Sequence, residues 1–273
     1  MFKRITAAAL AAAVSLCLSA CGGEAENTVV PETPPAETAQ STAPESTAPE
    51  STAPESTAPE TGTAQGGTSL AETEDAGDEY LDRIIFLGDS TTYGLKAYGM
   101  LSGGTETQQV WTPSSGTLTL SNQSIATIVY PPTGEEIPIR DAVEAAKPDI
   151  MVITLGVNGV SMMDEDWFKT DYTALVQSIQ AASPDTKIIC NSIYPVENDY
   201  EQIESINNTN IPQANEWIKA VAEATGCKYA DSASVLKAED GSLREDYGNG
   251  DGIHLNADGF NAVLNYLRTH AYQ

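Results

Sequence analysis

Ile84-Ile85-Phe86-Leu87-Gly88-Asp89-Ser90 sets four apolar residues directly against a Gly-Asp-Ser turn, and Thr91–Met100 after it can form a helix. A short unbroken apolar run bounded by turn residues is the pattern of a strand buried on both faces, as in a parallel sheet. The pattern returns at Asp149–Leu155, Lys187–Tyr194 and Cys227–Ala230. Helical periodicities lie between and after these runs. Tyr172, Leu175, Val176 and Ile179 fall at i, i+3, i+4 and i+7, and Phe260, Val263, Leu264 and Leu267 repeat the spacing near the C-terminus. Ala214, Trp217, Ile218 and Val221 suit a third amphipathic helix. Alternating strands and helices need crossover connections, and right-handed crossovers over a parallel sheet give an α/β fold, a three-layer α/β/α sandwich. Leu101–Pro138 breaks the alternation. It is rich in Gly, Ser and Thr, with β-favouring stretches at Gln109–Trp111, Thr117–Leu120 and Ile125–Tyr130. A strand plus an irregular β-containing insertion is expected there.

Upstream of residue 79 the chain cannot build a core. Lys3 and Arg4 precede the short apolar run Ala7–Leu18, the form of an export signal. Leu18-Ser19-Ala20-Cys21 then resembles the lipobox of bacterial lipoproteins, which implies a lipidated Cys21 as first mature residue. Residues 22–78 show no apolar periodicity, and Ser41–Glu60 is a repeated Ser-Thr-Ala-Pro-Glu. Each repeat carries a proline that blocks helix and a glutamate that repels its neighbours. The expected organisation is a signal peptide at 1–20, a disordered spacer at 21–78 and one domain at 79–273. As a flexible coil the spacer spans on the order of 40 Å, and as polyproline II roughly 170 Å.

Lys and Arg total 13 against 39 Asp and Glu, for a net charge of −26. Such a surface argues against nucleic acid as partner. Of the four cysteines, Cys17 leaves with the signal and Cys21 is the expected anchor, while Cys190 and Cys227 fall in expected strands. Their offset along parallel neighbours favours two buried free thiols over a disulfide. Two histidines and so few cysteines leave little from which to build a His/Cys metal site.

In open parallel sheets ligands bind beyond the carboxyl ends of the strands. Ser90 stands there at a helix N-terminus, where free N–H groups favour a developing oxyanion. Alone, Gly-Asp-Ser reads first as a helix cap. Asn158, in Leu155-Gly156-Val157-Asn158-Gly159, follows the second strand at the same sheet edge and could donate to an oxyanion. Alone, it reads as a turn Asn before Gly. Asp251 and His254 share a loop before the last helix, and a spacing of three lets the carboxylate curl back to the imidazole. The run Asp246–Asn256 lacks the alternating ligands and terminal Glu of an EF-hand. His270, close to the C-terminus, reads as a surface residue. A serine nucleophile needs a base, and the base needs an anion to hold it. Convergence of all these groups on one edge favours that chemistry over the separate local readings.

The order Ser, Asn, Asp, His resembles the SGNH/GDSL hydrolase family across residues 80–273. It is carried by Gly88-Asp89-Ser90 with Gly94, by Gly156-x-Asn158, and by Asp251-x-x-His254-Leu255 with Gly259. The resemblance implies a flavodoxin-like parallel sheet with Ser90 as nucleophile, His254 as base and Asp251 as its partner. It implies oxyanion donors at the Ser90 N–H, at Asn158 and at a glycine best matched by Gly116. Residue 159 departs from the pattern, being Gly where the family usually has Asp. The GxSxG elbow of α/β-hydrolases is absent. The expectation is an exported serine esterase, tethered to the outer face of the bacterial cytoplasmic membrane through Cys21. It would cleave carboxylic esters, short-chain acetyl esters above all, on glycans or cell-wall polymers, with no metal or organic cofactor. Two other readings stay open: an O-acetyltransferase using the same triad, and a non-catalytic surface lipoprotein binding carbohydrate or solute.

Overall fold

The apolar runs become the strands of one sheet in the computed structural model, which describes residues 67–273. The chain runs through α1 (Gly77–Leu81), β1 (Ile84–Gly88), α2 (Ser90–Ala97), β2 (Val110–Trp111), β3 (Thr127–Tyr130), β4 (Glu135–Pro138) and α3 (Ile139–Ala146). It continues through β5 (Ile150–Thr154), α4 (Glu165–Ala182), β6 (Lys187–Asn191), α5 (Asn210–Thr225), β7 (Lys228–Ala230) and α6 (Ala257–Thr269). The main sheet has the order β2-β1-β5-β6-β7, and every pairing in it is parallel. All five residues of β5 are buried, as expected of a central strand covered on both faces. Alternate side chains feed different layers. Ile150 and Val152 pack with Ile84, Phe86, Leu95, Phe260 and Leu264, the layer of α1, α2 and α6. Met151 and Ile153 pack with Val143, Phe168, Tyr172 and Ile218, the layer of α3, α4 and α5. The α/β/α sandwich with a flavodoxin-like strand order is therefore the fold of this chain.

The insertion is resolved into three parts. Val110–Trp111 adds to the sheet edge beside β1, with Phe86 opposite Val110 and Leu87 opposite Trp111. β3 and β4 form a separate antiparallel pair, joined to β2 by the Trp111–Tyr130 edge contact at 5.8 Å. Thr117–Leu120 is not a strand. Leu118 and Leu120 are buried in the core instead, so their alternation is used without a ladder partner. α3 was not anticipated. It is only eight residues long, too short for its apolar spacing to stand out against the insertion before it.

The folded part also begins earlier than residue 79. Leu70 N–H donates to the Tyr229 carbonyl at 2.8 Å, and Tyr229 N–H to the Thr68 carbonyl at 2.9 Å, so this stretch pairs with the free edge of β7. Leu70 is buried, and Arg268 of α6 holds both Asp75 and Asp78. One leucine among polar residues gives no period, which is why the sequence places the boundary too late. The signal region, Cys21 and the Ser-Thr-Ala-Pro-Glu repeats lie outside the described residues. Cys190 and Cys227 are both buried and free. Cys190 stands opposite Tyr229, which leaves Cys227 two residues out of register with it.

Candidate active site

Ser90 is the first residue of α2 and follows the last residue of β1 by two positions. The turn between them is compressed. A Cβ on Gly88 would lie 2.0 Å from Thr92 Oγ1 and 2.7 Å from the Thr154 carbonyl, so only glycine lets α2 start this close to β5. Asp89 caps the helix by accepting from Thr91 N–H at 2.9 Å. The Ser90 N–H, at the first helical position, has no intrahelical acceptor. α2 is then set against α6 at Gly94, where a Cβ would come within 2.3 Å of the Phe260 ring.

The loop before α6 carries the other two groups. Asp251 Oδ1 accepts from the backbone N–H groups of Ile253 (3.0 Å) and His254 (2.9 Å). That doubled contact curls the chain so that Oδ2 meets His254 Nδ1 at 2.8 Å. Gly252 has φ +89° and sits where a Cβ would be 2.8 Å from Tyr200 Cα. Asn249 Nδ2 adds a second donor to Asp251 Oδ2 at 3.2 Å. Asn256 caps α6 through Asp258 N–H and Gly259 N–H while its own amide donates to the Asp246 and Gly248 carbonyls. Neither Asn249 nor Asn256 was singled out from the sequence. An Asn directly before an amphipathic helix is the signal that points to the second.

His254 Nε2 lies 2.8 Å from Ser90 Oγ. The chain Asp251–His254–Ser90 is thus joined by two hydrogen bonds across 164 residues of sequence separation. Burial opposes the charge on Asp251, but the hydrogen bonds from the His254 backbone, the His254 ring and Ile253 together hold its carboxyl down at about 2. It remains an anion wherever an imidazole can act as base, and an anion on Nδ1 fixes the tautomer whose Nε2 can take a proton. His270 follows the C-terminus of α6 and stacks on Tyr266 at 3.9 Å, whereas His254 precedes the N-terminus of that same helix.

Asn158 is held in the turn after β5. Gly156 has φ +126°, and a Cβ there would meet the Phe168 ring at 2.7 Å. The Asn158 amide donates to Asp89 Oδ2 at 2.9 Å and to the Leu118 carbonyl at 3.4 Å. At Gly159 a Cβ would lie 2.7 Å from Met163 Sδ, so buried Met163 takes the room an Asp side chain would need. Gly116 does not fit the role expected of it. Its N–H donates to the Pro113 carbonyl at 3.0 Å, closing a turn with Gly116 at φ +73°, and so is not free to bind an oxyanion.

Two cavities flank this region. One of about 920 Å³ adjoins Gly248–Gly250 and is lined by Glu197, Asp199, Glu239, Asp240 and Glu245. Burial, then the charges of Asp199, Asp251 and Glu245, push the Glu197 carboxyl up. The other, of about 500 Å³, begins one helical turn from Ser90 at Tyr93 and Lys96 and continues to Val110, Pro113 and Val129.

The GDSL-like lipase/acylhydrolase family model matches residues 86–262, a span that holds Ser90, Asn158, Asp251 and His254. None of the curated proteins matches the chain. Among solved structures, a candidate platelet activating factor from Streptococcus pneumonia is 20% identical, with a TM-score of 0.52 over 74% of this chain and 93% of its own. A candidate acylhydrolase from Bacteroides fragilis is 18% identical, with a TM-score of 0.52 over 73% of this chain and 88% of its own. A candidate GDSL-like lipase from Parabacteroides merdae is 15% identical, with a TM-score of 0.50 over 74% and 98%. At these identities the likeness is one of fold.

Proposed function

The chain belongs to the GDSL-like lipase/acylhydrolase family, and from that premise we propose that it is a serine esterase acting through Ser90, His254 and Asp251. The observation that carries the reading is the continuous hydrogen-bonded path from Asp251 through His254 to Ser90 Oγ. Ser90 Oγ attacks the ester carbonyl as His254 Nε2 takes its proton. The carbonyl oxygen becomes an oxyanion beside the Ser90 N–H and the Asn158 amide. Collapse expels the alcohol, which leaves with the proton from His254, and Ser90 carries the acyl group. Water then attacks that ester with His254 again as base, releasing the carboxylic acid and restoring Ser90.

The substrate in this reading is a short-chain, acetyl, ester on a glycan or wall polymer. Two features support it: the lipobox-like Leu18-Ser19-Ala20-Cys21 with its long spacer, which fits an exported enzyme working at a distance from the membrane, and the acidic cleft beside Gly248–Gly250. Clustered carboxylates disfavour a polyanionic partner and tolerate a neutral sugar. Turnover of 4-nitrophenyl acetate by the purified protein tests the proposal. Ser90→Ala is expected to lower kcat by roughly 10⁶-fold, and a variant that keeps wild-type turnover overturns it.

A further inference from the structure

Asp89 is, among the described residues, the only Asp or Glu that is fully buried, and the mechanism above gives it no task. Its two oxygens serve two different parts of the site. Oδ1 accepts from Thr91 N–H at 2.9 Å and Thr91 Oγ1 at 2.7 Å, both in the first turn of α2. Oδ2 accepts from Asn158 Nδ2 at 2.9 Å, in the loop after β5. Helix capping needs only the first set. The second fixes which end of the Asn158 amide faces Asp89, because an ionised carboxylate only accepts and so requires the NH₂ end. The remaining amide hydrogen is left on the Leu118 carbonyl at 3.4 Å, a long contact that a stronger acceptor can displace. An oxyanion is such an acceptor.

We propose that Asp89 is a positioning residue for the reaction: it holds the donor end of the Asn158 amide in register with the Ser90 turn, so that nucleophile and oxyanion donor form one rigid unit. This rests on the serine esterase reading given above. The groups facing Asp89 come from four segments: Thr91 of α2, Asn158 after β5, His254 before α6, and Tyr194 after β6. Burial pushes the Asp89 carboxyl up to about 6, against the Thr91 hydrogen bonds and the charge of His254. The carboxylate is therefore held in place at a cost, which a residue serving only as a cap has no reason to incur.

Asp89→Asn separates orientation from charge. With its oxygen kept on Thr91, residue 89 turns an NH₂ group towards Asn158, and two donors face each other. Asn158 then rotates to offer its oxygen, and its donors leave the oxyanion. Loss of the negative charge helps an oxyanion form but withdraws support from the His254 imidazolium, so orientation is identified by how the loss combines with Asn158→Ala and not by the slower rate alone. Kinetics on 4-nitrophenyl acetate and thermal unfolding of the full chain test this. The set is wild type, Asp89→Asn, Asn158→Ala, their double variant, and Asp89→Asn with Asn158→Asp.

Asp89→Asn is expected to lose about 10²–10³ in kcat, the usual cost of one oxyanion donor, with KM nearly unchanged. Adding Asn158→Ala to it should cause little further loss, since both remove the same donor. Asp89→Asn with Asn158→Asp restores a matched hydrogen bond, and so recovers Tm without recovering kcat. Near-wild-type kcat in Asp89→Asn, or losses that multiply in the double variant, overturns the proposal. Should the wild type turn over no ester, the esterase reading fails by itself. The side-chain amide resonance of Asn158 still reads the contact, followed from about pH 4 to about pH 8 in a His254→Ala background. It is expected to titrate with Asp89 and to lose that titration in Asp89→Asn, and an amide indifferent to the substitution overturns the proposal.

Discussion

At the scale of single residues, two aspartates of this site respond to pH with opposite sign. Asp251 is held at about 2, below its ordinary 3.8. Its contribution to stability is present above the ordinary value and is lost as pH falls through about 2. Asp89 is raised from 3.8 to about 6, so the folded protein binds that proton more tightly than the unfolded chain does. The stability this brings is full below 3.8 and is lost as pH rises through 6. A shift of about two units corresponds to about 3 kcal/mol. The stability difference between Asp89→Asn and wild type is therefore expected to move in favour of the variant by up to that amount as pH rises from about 4 to about 7, whatever the variant loses at about pH 4 through its mismatched hydrogen bond. Urea unfolding at a series of pH values measures it, and a constant difference over that range contradicts it. Ser90 was readable because it stands where a strand gives way to a helix, and Asp251 and His254 because they stand three apart in one loop before the last helix. The link from Asp89 to Asn158 was not, since it joins residues 69 positions apart and each alone reads as an ordinary cap or turn.

At the scale of elements, the site depends on how α2 meets α6, since one begins with Ser90 and the loop before the other carries His254. Gly94 and Phe260 set that distance. Phe260 is 1% exposed and its ring fills the place where a Gly94 side chain would go. Gly94→Ala is expected to cost about 1–3 kcal/mol through overpacking, or roughly 2–12 °C in Tm for a domain of this size. Phe260→Leu in that background should return part of the loss, and calorimetry of the single and double variants checks both. An unchanged Tm in Gly94→Ala contradicts the packing account. Four strands were readable as short unbroken apolar runs and three helices as apolar residues at helical spacing, while α2 was readable only as the stretch after the Gly-Asp-Ser turn. The insertion was only partly readable. A two-residue edge strand such as Val110–Trp111 has no period, and Leu118 and Leu120 reach the core from a segment that pairs with nothing.

At the scale of the whole molecule, the stretch from residue 67 belongs to the folded unit although its composition continues that of the spacer. Among the described residues no helix is long and apolar enough to cross a membrane. A chain beginning at residue 79 loses the Leu70 side chain, the pairing of 68–70 with Tyr229, the Thr73 and Ala76 N–H bonds to the Thr269 and Arg268 carbonyls, and the Arg268 side-chain contacts. Burial of one leucine and four backbone hydrogen bonds amount to about 6 kcal/mol, so its Tm should fall by roughly 12–24 °C against a chain beginning at 67. Equal melting of the two would mean that these contacts carry no stability. The central claim is that Ser90, activated by His254 and Asp251, is the nucleophile on which the acyl group rides. Intact-mass analysis after a fluorophosphonate tests it most directly. One adduct per chain is predicted, located on Ser90, blocked in His254→Ala and absent in Ser90→Ala. An unmodified wild-type protein, or an adduct that persists in Ser90→Ala, would contradict it.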